Sequence, residues 1–142
     1  MALVWIWVPV SLLPFILQPI ALASPDYCPT TDPCIRSDLF AFQVSSGLAL
    51  SFCGILGVYT WHFSKRAHTH LPETAEGRLY GYLKESEQLA AGNFTFQFWD
   101  FWISLLIDEH RTAIMLGHHS IAALLSWLSL EYQVLHYYGG TC

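Results

Sequence analysis

Asp100, His118 and His119 are the residues whose types and spacing point to chemistry. Residues 88–107 form an aromatic-rich stretch, and its polar side chains are Asn93, Gln97, Asp100 and Ser104, followed by Asp108. They recur at steps of 4, 3, 4 and 4, the period of one face of a helix. The next apolar stretch carries Gly117-His118-His119-Ser120. Neutral imidazole can accept a proton from a buried amine or hydroxyl, and a carboxylate can orient it. A single histidine in an apolar helix is ordinarily a packing residue bonded to a carbonyl. A pair level with an acidic residue reads as functional, because a charged side chain at the centre of a membrane helix costs about 2.5–3.5 kcal/mol on insertion scales.

The short charged link Asp108-Glu109-His110-Arg111 makes the two stretches antiparallel neighbours. A turn centred near His110 brings Asp100 level with Ser120, beside both histidines, at a depth of about 15 Å, close to the bilayer middle. Consecutive helical residues differ by about 100°, so one histidine faces the site and the other braces a neighbour. No metal is expected. The spaced histidine boxes of membrane di-iron enzymes are missing, and His68-Thr69-His70 has no third ligand at suitable spacing.

The elements that position these groups follow from composition. Of 142 residues, 54% are hydrophobic and 15% aromatic, but only 12% are charged. Average soluble domains hold about 25% charged residues. Four stretches of about 20 residues with few or no charges are each long enough to span a bilayer as a helix. The fold class expected is therefore all-α: a polytopic transmembrane helix bundle with four apolar spans, or three if the first is a cleaved signal. A net charge of −5 offers no basic stripe, so no nucleic-acid partner is expected. The chain divides into residues 1–23, a signal peptide or first transmembrane helix, a connector over 24–37, and a membrane domain over 38–142.

Residues 1–23 contain Pro9, Pro14 and Pro19 and end in Ala21-Leu22-Ala23-Ser24, a small-x-small cleavage pattern, yet they lack a basic start. Cleaved signal and retained anchor fit equally. The connector holds one basic residue, Arg36, whereas residues 65–87 hold Lys65, Arg66, Arg78 and Lys84, which places the latter loop in the cytosol and the connector in the lumen. There Cys28 and Cys34 are a candidate disulfide. In residues 39–63, Ala49, Cys53 and Gly57 form a small-residue face suited to helix–helix partners in lipid. A short interfacial helix is expected over residues 80–91. The sequon Asn93-Phe94-Thr95 falls at the cytosolic boundary and is expected to be unused.

Met115-Leu116-Gly117-His118-His119, preceded by Asp100-Phe101-Trp102 and Glu109-His110-Arg111, resembles the core of the TLC domain family, which contains the ceramide synthases and non-synthase lipid-regulating membrane proteins. The resemblance spans roughly residues 38–138 and implies the N-terminal part of such a domain, from a truncated member. By resemblance His118 and His119 take the place of the family's active-site pair; with Asp100 of the polar stripe they are the catalytic candidates, and Asn93, Gln97, Ser104, Arg111 and Met115 are the candidate binding residues. Where synthases carry an acidic residue and aromatics before the motif, this chain has Arg111-Thr112-Ala113-Ile114, closer to the non-synthase members. The expected function is lipid binding or regulation in a polar intramembrane cavity, with membrane lipids as partners and no bound cofactor. The alternatives are a sphingoid-base N-acyltransferase with acyl-CoA as co-substrate, and a structural or trafficking subunit. The expected location is a membrane of the secretory system, the endoplasmic reticulum foremost.

Overall fold

The computed structural model of the protein describes residues 14–26, 36–64 and 71–140. Cys28 and Cys34, His68 and His70, and the basic pair Lys65-Arg66 lie outside the described residues. Helix α1 covers residues 14–22, α2 Ser37–Phe63, α3 Ala75–Tyr80, α4 Lys84–Ser104 and α5 Ala113–Tyr132, and a 3-10 turn, His136–Gly140, follows. Among the described residues there is no strand.

Among the described residues two helices, α2 and α5, are long and apolar enough to cross a membrane, where four spans were expected. Helix α4 has the length, about 31 Å at 1.5 Å per residue, but not the composition. It opens on Lys84, Glu85 and Glu87 and carries Asn93, Gln97 and Asp100 along its length. The first apolar stretch is described only from residue 14 onward. Only 22% and 17% of the apolar windows of α2 and α5 are buried, unlike the core helices of a water-soluble protein. Ile55, Val58, Ile114 and Ile121 are all exposed. So much outward-facing aliphatic surface suits a hydrocarbon surround and not water.

Helices α4 and α5 form an antiparallel hairpin, and α2 packs against α4. The core at one end joins Phe42, Ala49, Phe96, Trp99 and Ile107. Phe42 stacks on Trp99 with ring centroids 5.7 Å apart and meets His110 at 4.4 Å. Helix α1 docks at this end. Gln18, fully buried, donates to the Asp38 carbonyl at 3.1 Å, and Phe15 sits edge-on to Trp99. Here too Arg36 binds Asp38 at 2.8 Å and pairs with Glu109, clasping the start of α2 to the α4–α5 turn. The hydrogen bond to Asp38 holds the Arg36 guanidinium above its usual pKa, so it stays charged. Of the small-residue face on α2, Ala49 and Gly57 are buried and Cys53 is half-buried.

At the opposite end the chain folds back on itself. Residues 80–91 do not form the separate short helix expected: they span the end of one helix, a break and the start of the next. Helix α3 ends at Tyr80, residues 81–83 are extended, and α4 begins at Lys84. The Gly81 N–H closes α3 on the Gly77 carbonyl, and the extended Leu83 starts α4 in a new direction. After α5, Gln133 and Leu135 adopt positive φ of 52° and 65°, conformations that cost L-residues about 1–2 kcal/mol. They are held by Ser129 donating to the Val134 carbonyl (2.7 Å) and by the Leu135 N–H on the Leu79 carbonyl (2.8 Å). His136 is thereby buried against the Leu83 backbone, its Nδ1 2.9 Å from the carbonyl oxygen.

Two stability predictions arise from this frame. A Cβ on Gly77 would lie 2.4 Å from the Pro72 carbonyl oxygen and 2.5 Å from its Cγ. Backbone and a proline ring cannot rotate away, so Gly77→Ala is expected to cost about 1–3 kcal/mol in denaturant unfolding of the purified protein. Thr112 caps α5, its hydroxyl accepting from the Met115 N–H at 3.3 Å. Thr112→Ala is expected to cost about 1 kcal/mol in the same measurement, and Thr112→Ser much less.

Candidate functional site

The polar face of α4 turns onto α5. Asn93, at the middle of α4, donates from Nδ2 to the Ser126 hydroxyl at 2.8 Å, and Ser126 in turn donates to the Ala122 carbonyl at 2.9 Å. Gln97, one turn on, has Nε2 3.5 Å from Asn93 Oδ1, and its Oε1 lies 2.7 Å from His119 Nδ1. Asp100 Oδ2 stands 3.5 Å from the same nitrogen, and Asp100 Oδ1 accepts from the Ser104 hydroxyl at 3.3 Å. Gln97, Asp100, Ser104, His119 and Ser126 are all buried. The result is one continuous ladder of side chains between two helices.

The ladder has a direction. Ser126 uses its only proton on the Ala122 carbonyl, so it accepts from Asn93 and fixes that amide with Nδ2 toward α5. Asn93 Oδ1 then accepts from Gln97, which leaves Gln97 Oε1 facing His119. An amide oxygen only accepts, so Nδ1 of His119 carries the proton. In neutral His119 the lone pair therefore sits on Nε2, which is buried without a hydrogen-bond partner among the described residues. One ring nitrogen is thus held by an amide and a carboxylate, and the other carries a buried lone pair able to accept a proton.

The residues expected at the site divide into two groups. Asn93, Gln97, Asp100, Ser104 and His119 converge. His118 does not. It is exposed on another side of α5, its ring edge-on to His119 with centroids 5.4 Å apart. Arg111 is exposed and pairs with Asp108 at 2.8 Å in the turn, and Met115 is half-buried one turn before His119. Asp108 leaves the polar face because α4 ends at Ser104, with turns instead of α-helix from Leu105 to Thr112. The same early end corrects the depth. Asp100 lies about 6 Å and His119 about 9 Å inside the ends of their helices, less than the depth expected. Asn93 is sequestered by Ser126 within a helix, so the Asn93-Phe94-Thr95 sequon offers no loop amide for glycosylation.

Ser126 escapes a reading of charged and aromatic residues, although the antiparallel register that pairs Asp100 with His119 also brings Asn93 level with it. Both residues border a cavity of about 400 Å³ between α2, α4, α5 and the terminal turn, with Cys53, Leu89, Ala122 and Leu125 among its walls. The cavity is predominantly apolar, and the Asn93–Ser126 rung of the ladder lies at its polar edge, while Gln97, Asp100 and His119 do not line it. Among the described residues no group of three His, Cys, Asp or Glu side chains converges as a metal site would require. Compared with family models, curated proteins and solved structures, the chain matches none of them.

Proposed function

We propose that this chain is a multi-pass membrane protein of the TLC type, resident in the secretory system, that binds or regulates lipid between α4 and α5. The observation carrying this reading is the buried His119, with Nδ1 held by Gln97 and Asp100 and Nε2 without a hydrogen-bond partner among the described residues, in a hairpin whose outer surface is aliphatic. A buried polar ladder in hydrocarbon is costly unless its groups are satisfied, and an open imidazole nitrogen is completed by a lipid hydroxyl or amine. The adjoining 400 Å³ apolar cavity suits hydrocarbon. On this reading α4 is a third span, inserted together with α5, which covers its polar face.

The open Nε2 also favours a second reading, N-acyl transfer. There Nε2 removes a proton from a sphingoid amine as the nitrogen attacks the acyl-CoA thioester, the C–N bond forms and the C–S bond breaks. The imidazolium then returns the proton to the departing thiolate. Acyl-CoA is a co-substrate in this reading only.

Membranes containing the full chain, treated with a photoactivatable sphingoid probe and separately with labelled acyl-CoA plus sphingoid base, distinguish the two. Lipid binding predicts photo-labelling of the wild type, at least tenfold loss in His119→Phe and in Ala122→Trp, which fills the cavity, and no acyl transfer. Catalysis adds acyl transfer that His119→Phe abolishes. Wild-type protein that is inserted, stable and unlabelled in both assays would refute both readings and leave a structural subunit.

A further inference from the structure

Asn93 and Ser126 stand in the wall of the 400 Å³ cavity as well as in the ladder, and no charged side chain among the described residues joins them there. The space is interior, walled by α2 at Cys53, by α4 at Leu89, by α5 at Leu125 and by the terminal turn at Leu135. Its volume sets how much hydrocarbon it can hold. A dry cavity of about 150 Å³ takes one benzene, which is about 25 Å³ per carbon. At that density 400 Å³ takes about sixteen carbons, one lipid chain and not two.

The polar edge sets the headgroup. The hydroxyl protons of Ser126 and Ser129 are already given to the Ala122 and Val134 carbonyls. Asn93 Nδ2 carries two protons, of which Ser126 takes one. The second has no partner among the described residues and is the donor this edge offers. A neutral oxygen completes it. An ammonium or sulfate would lose its water here and meet no opposite charge, a far larger penalty than one hydrogen bond returns.

We infer that the cavity binds an uncharged lipid: one hydrocarbon chain of about sixteen carbons, whose ester or hydroxyl oxygen accepts from Asn93 Nδ2. Ser126 and the ligand oxygen then hold both Nδ2 protons. That keeps Asn93 Oδ1 on Gln97 and reinforces the proton on His119 Nδ1. An uncharged lipid in this place rests on the lipid-binding reading above and narrows its headgroup from hydroxyl or amine to oxygen.

Membranes containing the full chain are labelled with four probes that share a chain of this length and a mid-chain diazirine: a monoacylglycerol, an alkyltrimethylammonium, an alkyl sulfate and the plain alkane. The monoacylglycerol is expected to label the peptides holding Leu89 and Leu125, and both charged probes at least tenfold less. The alkane should label about tenfold less too, the scale of one hydrogen bond to an uncharged oxygen. Asn93→Leu should bring the monoacylglycerol down to the alkane and leave the alkane unchanged. Cys53→Phe, on the α2 wall, places a ring with the room of about six carbons in the cavity. It should cut labelling by the full-length chain at least tenfold, and a chain about six carbons shorter should restore it. Loss of both labels in Asn93→Leu would mean misfolding, and the length shift in Cys53→Phe then decides. Equal labelling by the charged probes, indifference to Asn93→Leu, or an unshifted length preference in Cys53→Phe would overturn the assignment. Labelling by the sphingoid probe without the monoacylglycerol would overturn it and leave lipid binding standing, whereas silence of every lipid probe would take the lipid-binding reading with it.

Discussion

Asp100→Leu is expected to raise the insertion of an isolated α4 segment into a bilayer and, in the full chain, to abolish lipid labelling. Asp100 is buried at 3% exposure with Ser104 and His119 as its polar neighbours. An aspartate at a helix centre costs about 2.5–3.5 kcal/mol on insertion scales, while leucine contributes about −0.5 kcal/mol. Asp100 lies nearer the helix end, so a gain of about 2 kcal/mol, some thirtyfold in the insertion equilibrium, is the expected scale. A translocon-insertion assay on residues 84–104 measures it. Adding α5 to the segment should rescue wild-type α4, because His119 and Ser126 then cover its polar face. If α4 inserts equally well alone, with α5 and as the Asp100→Leu variant, its polar stripe carries no energetic burden and the functional reading of Asp100 loses its basis.

Gln97→Leu is the second large effect. Gln97 is the middle rung, accepting from His119 Nδ1 and donating to Asn93 Oδ1. Its loss strands the buried His119 Nδ1–H, worth about 1–3 kcal/mol when left unsatisfied, and frees the half-buried Asn93 Oδ1. Intramembrane hydrogen bonds average nearer 0.6 kcal/mol in double-mutant cycles, because the unfolded chain in the membrane also finds partners. Asp100 remains near His119 and softens the loss, so about 2 kcal/mol is expected in unfolding by sodium dodecyl sulfate in mixed micelles. The combination with His119→Phe should cost less than the two singles together, since it leaves fewer orphaned polar groups. Strict additivity would show that the two side chains do not share a hydrogen bond.

The polar face of α4 and its pairing with α5 were legible before any coordinates. A helical period is written into residue spacing, and a short charged link leaves antiparallel packing as the only route. The register followed as well: Asp100 with His119 and Asn93 with Ser126 are both centred between Glu109 and His110. Depth was not legible, because it depends on where α4 stops. The main chain leaves the helix at Ser104 and bends so that Ile107 can be fully buried beside Phe42 and Trp99, a long-range packing choice. The break at residues 81–83 has the same origin, since it lets Leu83 and His136 meet across the chain.

By itself, then, the sequence determined a helical chain with little charge and a stripe of amides and a carboxylate that has to be hidden from hydrocarbon; of the four spans it predicted, two helices among the described residues are apolar enough to cross a membrane. Local spacing suffices for these, because helix period and hydrophobic length are properties of neighbouring residues. Tertiary structure alone decided which histidine completes the stripe. His118 and His119 are chemically identical and adjacent, and the roughly 100° between them is resolved only by the rotation of α5 about its own axis. Packing of Ser126 against Asn93 of α4 sets that rotation, turning His119 inward to Gln97 and Asp100 and leaving His118 on the outer face.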